Sequence, residues 1–368
     1  MTLITSPGLD NVIAAETVLS HVDGEAGRLI VRGVDIDDLA GHAGFEDAVA
    51  LLWRGVVTSD TATGDDLKAG LAAGRVAAFA RFAPLAPLVR TLAPVEAMRL
   101  FLAAIPDGAR SQQPAEMVAA AGVAAALAVR ATAGEAPLCP DPNLGHAADV
   151  LRMLRASPGD SAEVRAFETY LVTILDHGLN ASTFTARVVA STAAGLPSAV
   201  VAALGALKGP LHGGAPGPVL DMLDDIRTPD RAEAWMEKAL DGGARLMGFG
   251  HRIYRVRDPR ADVLKKAVAT LKGRANRIAL AEAVEAAALK VLKARKGERR
   301  LDTNVEFYTA LLLEALGIPR EAFTLVFAAG RVAGWVAHVR EQEAGARIIR
   351  PQSRYVGPWP AANPGRAA

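Results

Sequence analysis

The sequence predicts an all-α fold, and three observations carry that expectation. Hydrophobic residues make up 51% of the chain but aromatic residues only 5%, so alanine, leucine and valine must build the interior. That balance favours packed helices over a β-sandwich, whose strands draw on β-branched and aromatic side chains. Apolar residues also recur at i, i+3, i+4 and i+7 in several segments, the period of a helix with one buried face. Finally, these segments are punctuated as helices are, by Asp-Pro or Thr-x-x-Glu before them and by Gly or Pro after them. With 368 residues the chain has room for two domains.

Taken in order, Ser20-His21-Val22 and Arg28-Leu29-Ile30-Val31 flank Asp23-Gly24-Glu25-Ala26-Gly27 and read as a small hairpin. Gly33-Val34-Asp35 then leads into a helix that Asp35 is placed to cap. From about Leu67 to Arg130 the chain is alanine-rich and helical, interrupted at Pro84, Pro87, Pro94, Pro106 and Pro114. Residues 141–145 read as a loop. Ser157-Pro158-Gly159-Asp160 is a turn before a long helix that begins near Glu163. Residues 188–207 form an uncharged run of twenty, long enough to cross a membrane. Gly195-Leu196-Pro197 interrupts it, because proline removes a backbone donor and clashes one turn back. Two buried helices are expected there, central in the fold or at a subunit interface.

Further on, Asp258-Pro259 starts a helix with stripe Leu264, Ala267, Val268 and Leu271, ended by Gly273. Val284, Ala288, Val291 and Leu292 form a second stripe, closed by Gly297. Thr303-x-x-Glu306 has the capping-box pattern and precedes an apolar helix ending at Gly317, with Pro319 beyond. A last helix runs from about Arg320 to Gln342. The tail from Ile348, with four prolines, is expected to be irregular.

Several function classes are disfavoured. The net charge of +1 creates no overall field for nucleic acid or an anionic membrane, so a bound anion must be held by a local cluster. The single Cys139 precludes an internal disulfide. The seven histidines never pair as HxH or HxxxH, and no metal site is expected. Neither GxGxxG, GxxxxGK[ST] nor GxSxG occurs. The N-terminus lacks a basic and an apolar signal region, so a cytoplasmic location is expected.

Three segments are built for chemistry. Lys208-Gly209-Pro210-Leu211-His212-Gly213-Gly214-Ala215 presses glycines around one histidine, where a backbone can approach a ligand closely. The stretch from Gly248-Phe249-Gly250-His251 to Arg260 combines another glycine-flanked histidine with four arginines in nine residues. Asp302-Thr303-Asn304-Val305-Glu306 sets a carboxylate in the first turn of an apolar helix. Arg331 lies inside the last helix and Arg350 in the tail. Each feature alone also has a structural reading: loop histidines, a capping carboxylate, a solvated arginine face, a buried ion pair. Together they supply two polarising groups, one carboxylate base and several carboxylate-binding arginines.

In their order and spacing these segments resemble the citrate synthase family, short dimeric type. Ser20 to Glu25, Arg32 to Ile36 and Asp176-His177-Gly178-Leu179-Asn180-Ala181 extend the resemblance over nearly the whole chain. The resemblance implies a two-domain helical fold, with a large domain of residues 1–213 and 318–368 and a small one of 214–317, closing over substrate. It implies a homodimer, for which the uncharged helices between 188 and 207 suit the interface. It also implies condensation of acetyl-CoA with oxaloacetate, no permanently bound cofactor, and acyl-CoA as substrate. By motif, His212 would hydrogen-bond the thioester oxygen, Glu306 would remove the methyl proton, and His251 would polarise the oxo-acid carbonyl. His177, Arg260 and Arg331 would hold the oxo-acid carboxylates, with Arg350 reaching in from the other subunit. Leu246, Gly248, Phe249 and Gly250 would flank the CoA adenine, and Arg255 would meet a CoA phosphate.

The sequence departs from the family pattern at three points. Glu306 stands where aspartate is usual, Pro216 where asparagine is common, and Thr309-Ala310 where Ser-Gly is common. These changes bear on rate and acyl preference, and leave open propionyl-CoA with 2-methylcitrate as product. A weakly catalytic paralogue that senses CoA and dicarboxylate is the alternative of another class. The chain lacks room for the extra N-terminal region of larger bacterial forms, and NADH inhibition is not expected.

Overall fold

The computed structural model describes residues 7–9, 12–108, 114–212, 216–271, 277–296 and 301–358. The chain opens with an antiparallel sheet of β1 (Ser20–Asp23), β2 (Arg28–Val31) and β3 (Val34–Asp35), in that order across the sheet. Ser20 pairs with Val31 and Ile30 with Asp35, so the expected hairpin gains a short third strand. Helices follow: α1 (Ile36–Leu39), α2 (Phe45–Trp53), α3 (Gly64–Phe82), α4 (Pro94–Ala103), α5 (Pro114–Thr132), α6 (His146–Arg155) and α7 (Ser161–Thr173). The second half contains α8 (Ala181–Ala190), α9 (Leu196–Leu207), α10 (Pro216–Ile226), α11 (Ala232–Asp241) and α12 (Pro259–Thr270). It closes with α13 (Ile278–Lys296), α14 (Val305–Ala315) and α15 (Phe323–Gly345).

Local chemistry places most boundaries where expected. Pro94, Pro114 and Pro259 each occupy the first turn of a helix, where the missing N–H has no intrahelical partner to lose. Asp160 caps α7 with a full capping box through Glu163. Two caps differ from the sequence reading. Asp35 precedes α1 without capping it, because its carboxylate pairs with Arg28 of β2 at 2.7 Å. Thr303 does not cap α14, because its hydroxyl bonds Glu285 of α13 at 2.7 Å. Asn304 takes that place, accepting the Glu306 N–H at 3.0 Å. The helix ends assigned to Gly273 and Gly297 lie outside the described residues.

α5 and α15 form the buried centre. Residues 117–128 of α5 are buried without a break, and α15 is buried from Phe323 through most of its length. Both are apolar and long enough to cross a membrane by length and composition, yet here other helices wrap them. Large side chains such as Trp53, Phe101 and Trp335 are wholly enclosed, each burial contributing about 1.5–3 kcal/mol. Trp53 is further tied to α15 by its indole N–H, which donates to the Ala333 carbonyl at 2.9 Å.

Glycines on α15 set the approach of the chain that carries His177. A Cβ on Gly330 would lie 2.7 Å from Ile174, and one on Gly334 would strike the Leu175 carbonyl and Asp176. The segment following α7 therefore lies directly on α15, one face of which presents Arg331. α8 and α9 occupy the uncharged run as two helices, and their own chain does not bury them all round. Each buries one face only, leaving Val188 and Val189 on α8, and Val201, Ala202 and Ala206 on α9, partly exposed.

Candidate active site

Five of the residues singled out by sequence meet in one cluster: His177, His251, Arg260, Glu306 and Arg331. His177 follows α7, and its ring lies 5.5 Å from that of His251. Tyr254, four residues after Gly250, packs between the elements; its ring is 4.8 Å from His251 and its hydroxyl 3.2 Å from His177 Nε2. Arg331 donates its Nε–H to the Ile174 carbonyl at 2.5 Å and lies over the Phe327 ring. It is thus fixed to the very segment that bears His177.

The two proposed polarising histidines are held in defined protonation states. The His251 Nδ1 accepts the backbone N–H groups of Ile253 and Tyr254 at 3.1 and 3.2 Å. Nδ1 is therefore unprotonated, and Nε2 carries the hydrogen available to a ligand. Burial, then the charge of Arg260, lowers His251 to about 4, so the ring is neutral at neutral pH. His212 is arranged in the opposite sense. Its Nε2 accepts the Ser182 N–H at 3.3 Å and lies 2.9 Å from the Ser182 hydroxyl, leaving Nδ1–H as donor. Burial and Arg331 lower it to about 4 as well. The neighbouring Gly213, Gly214 and Ala215, and the side chain of Pro216, lie outside the described residues.

Glu306 sits in the first turn of α14 with its carboxylate buried, and Oε2 has no hydrogen-bond partner among the described residues. Burial pushes its pKa up to about 7; Asp258 adds to the rise, and Arg260 and Arg331 oppose it. The capping role offered by the sequence is thus occupied by Asn304, and the Glu306 carboxylate is left for another use.

The glycine loop is physically joined to this carboxylate's helix. Gly250 N–H donates to Asp302 O at 2.7 Å, and Asn304 N–H to Gly248 O at 2.9 Å. The Asn304 side chain also donates to Gly250 O at 2.8 Å. Gly248 has φ +86, and a Cβ there would lie 2.9 Å from Phe307, so a side chain would push the loop away from α14. Phe249 packs on Phe307 at 5.3 Å, and Leu246 is buried.

The arginine-rich stretch divides by role. Arg260 is buried and bound through Nε and Nη2 to Asp258 at 3.0 and 2.7 Å. Asp258 also caps α12 and accepts the Val305 N–H at 3.2 Å, so one carboxylate aligns Arg260 with the start of α14. Arg257 is engaged by Asp262 and Glu285. Arg255 is largely exposed, 4.0 Å from Glu25. Arg350 is not brought to the cluster. Its neighbour Ile349 bonds the Ser191 hydroxyl at 3.0 Å beyond the end of α8, nine residues or about 14 Å along the helix from the Ser182 contact of His212.

Tyr254, Asp258, Ser182 and Tyr170 were not singled out as site residues. In the sequence Asp258 reads only as a helix start, and Tyr254 stands between arginines without a pattern of its own. Two other histidines are structural. His146 is buried against Phe45, and His338 bridges Arg187 and Asp176. An open pocket of about 570 Å³ lined by Ala14, Arg187, Gln342 and Arg347 contains none of the predicted site residues.

The comparisons with known proteins agree with one another. Residues 8–352 match the family described as citrate synthase, C-terminal domain. A protein named putative citrate synthase 2 from Mycobacterium tuberculosis is 39% identical over 361 residues, 96% of this chain and 93% of that one. Citrate synthase of Haloferax volcanii is 38% identical, covering 95% of each chain. The crystallised ternary complex of carboxymethyl coenzyme A and oxaloacetate with citrate synthase from Thermoplasma acidophilum superposes with TM-score 0.85 at 28% identity, covering 98% of each chain. The helical fold, the length matched and the relatives together establish that this chain belongs to the citrate synthase family of condensing enzymes.

Proposed function

We propose that the chain condenses acetyl-CoA with oxaloacetate to give citrate and free CoA. The observation that carries this reading is the buried Glu306 carboxylate, its Oε2 without a partner among the described residues, under the charges of Arg260 and Arg331, which also act on the two neutral histidines His251 and His212. A thioester α-proton is weakly acidic, so its removal requires a base of matched pKa and a donor at the developing enolate oxygen. Glu306, near 7, is the base; His212 Nδ1–H is the donor to the thioester oxygen. The enol carbon then attacks the oxo carbon, and His251 Nε2–H supplies the hydrogen bond and proton to the oxo oxygen. Water finally hydrolyses the thioester of the condensed product and releases CoA.

Arg260, Arg331 and His177 hold the oxaloacetate carboxylates, because a dicarboxylate in a closed cleft needs more than one fixed cation and arginine's planar fork suits it. Residues 214–317 form the small domain that closes on the rest. Closure excludes water from the thioester and seals substrate against the cluster that Arg260 and Glu306 form with Arg331 and His177. Leu246 to Gly250 flank the CoA adenine, and Arg255 meets a CoA phosphate. The working unit is a homodimer. The uncharged, half-exposed faces of α8 and α9 meet the partner copy, and Arg350 completes the partner's site, consistent with its position away from the cluster of its own chain. Titration of CoA release with oxaloacetate and either acetyl-CoA or propionyl-CoA tests the reading. Efficient turnover with acetyl-CoA supports it, a strong preference for propionyl-CoA makes the enzyme a 2-methylcitrate synthase, and no release with either refutes it.

A further inference from the structure

We propose that Tyr170 is a positioning residue for Glu306, its phenol donating a hydrogen bond that aims the carboxylate in the closed, substrate-bound enzyme. This rests on the reading of Glu306 as the base. Tyr170 lies on α7, which packs against α14, and it is completely buried. Its hydroxyl has no hydrogen-bond partner among the described residues, and neither has Glu306 Oε2. Buried polar atoms are rarely left unmatched, and two orphans on facing helices, one a donor and one an acceptor, are complementary. The ring is held against Phe167, with centroids 6.5 Å apart. One turn on, Ile174 donates its N–H to the Tyr170 carbonyl at 3.1 Å, and the Ile174 carbonyl anchors Arg331. Tyr170 therefore stands one helical turn from the anchor of a cation that itself faces Glu306.

The charges of Glu306 and Arg331 act on the Tyr170 phenol, and burial holds that phenol well above its ordinary pKa, so it remains a protonated donor. The groups facing Glu306 are Arg260 and Asp258 from the start of α12, Arg331 from α15 and Tyr170 from α7. On α10, Asp221 and Asp224 are engaged by Arg320 at 2.9 and 2.6 Å, beside Glu314 toward the other end of α14. Only Tyr170 among the facing groups can donate without adding charge. Glutamate also has one more rotatable bond than the aspartate usual in the family. An added restraint is what such a side chain requires to keep its oxygen within roughly 0.5 Å of the productive position.

Tyr170→Phe keeps the ring and removes the donor. Its kcat should fall about tenfold, and the acidic limb of kcat/KM for acyl-CoA should move to higher pH by about half a unit or more, because the ionised carboxylate loses a hydrogen bond. Oxaloacetate affinity should stay within about twofold, and the melting temperature of the free enzyme should hold or rise, since an unpartnered hydroxyl has been removed. The loss should shrink in a Glu306→Asp background, where the shorter acid no longer depends on the same contact. Wild-type rate with an unshifted limb overturns the proposal; so does a uniform loss at every pH, which marks a packing role alone. A nearly inactive Glu306→Gln beside an unchanged Tyr170→Phe removes only this inference, whereas a fully active Glu306→Gln removes the base assignment as well.

Discussion

Glu306→Gln is the perturbation for which the structure supplies a magnitude on both stability and rate. The folded carboxyl is moved from 4.5 to about 7, chiefly by burial. At about 1.4 kcal/mol per tenfold in acidity, holding it ionised in place costs up to about 3 kcal/mol. The sign follows from a folded pKa above the unfolded one. The unfolded chain ionises first, so the carboxyl's favourable contribution is complete below the unfolded pKa and is lost as pH rises through about 7. Glutamine keeps the shape without the charge. In urea unfolding, wild type and variant should therefore be alike near the acid end, while above neutral pH the variant should be more stable by on the order of 2–3 kcal/mol, less whatever the amide loses for want of partners. Turnover, followed by thiol release, should fall by about two to four orders of magnitude. Glu306→Asp should also be slower than wild type, because the shorter acid withdraws the carboxylate from the position that the glutamate oxygen reaches. Equal stability of Glu306→Gln and wild type at every pH would refute the argument that burial raises this carboxyl. Undiminished turnover would refute its role as base.

Three further outcomes follow from the same geometry. Arg350→Ala and His251→Ala should each be nearly inactive, yet regain partial activity when mixed and reassociated, since one hybrid site then holds both residues; no recovery despite demonstrated subunit exchange would count against a shared site. Calorimetry should show acyl-CoA binding strengthened by oxaloacetate if, as proposed, it bridges Arg260 and Arg331 and drives closure; equal affinity with and without it would remove that basis. Asp258→Asn breaks a buried pair that aligns Arg260 with α14, and should cost about 3 kcal/mol in urea unfolding and raise the KM for oxaloacetate at least tenfold; unchanged values would show that Arg260 needs no such support.

Much of the fold was legible because its signals are local. Asp258-Pro259 marks the start of α12 as written, the breaks at Pro94 and Pro114 coincide with the starts of α4 and α5, and the turn through Asp160 precedes α7, because each of these signals acts within one helical turn. The failures are non-local. Thr303-x-x-Glu306 has the pattern of a capping box, but Glu285, eighteen residues earlier, takes the threonine hydroxyl and the cap passes to Asn304. Asp35 is drawn off by Arg28 across the sheet in the same way. Within the site, His212, His251 and Glu306 stand out through glycine spacing and helix position, whereas His177 is reached only through the family resemblance. Tyr170 does not stand out, because it lies among apolar residues of α7 and only packing against α14 brings it near a charge. For α8 and α9 the sequence leaves open a central or an interface position, since an uncharged run says how apolar a helix is but not how much of it one chain covers.

The central claim is that Glu306 takes the proton from the acyl methyl group, and isotope exchange tests that step without the later ones. With a dicarboxylate that lacks the oxo group bound in place of oxaloacetate, the cleft can close but no carbon–carbon bond can form. In D2O the wild-type enzyme should then wash deuterium into the methyl group of acetyl-CoA, observed by mass spectrometry. His251→Asn, altered only at the oxo-acid carbonyl, should retain most of that exchange, whereas Glu306→Gln should lose it by about a hundredfold or more. Exchange in Glu306→Gln at the wild-type rate would contradict the account.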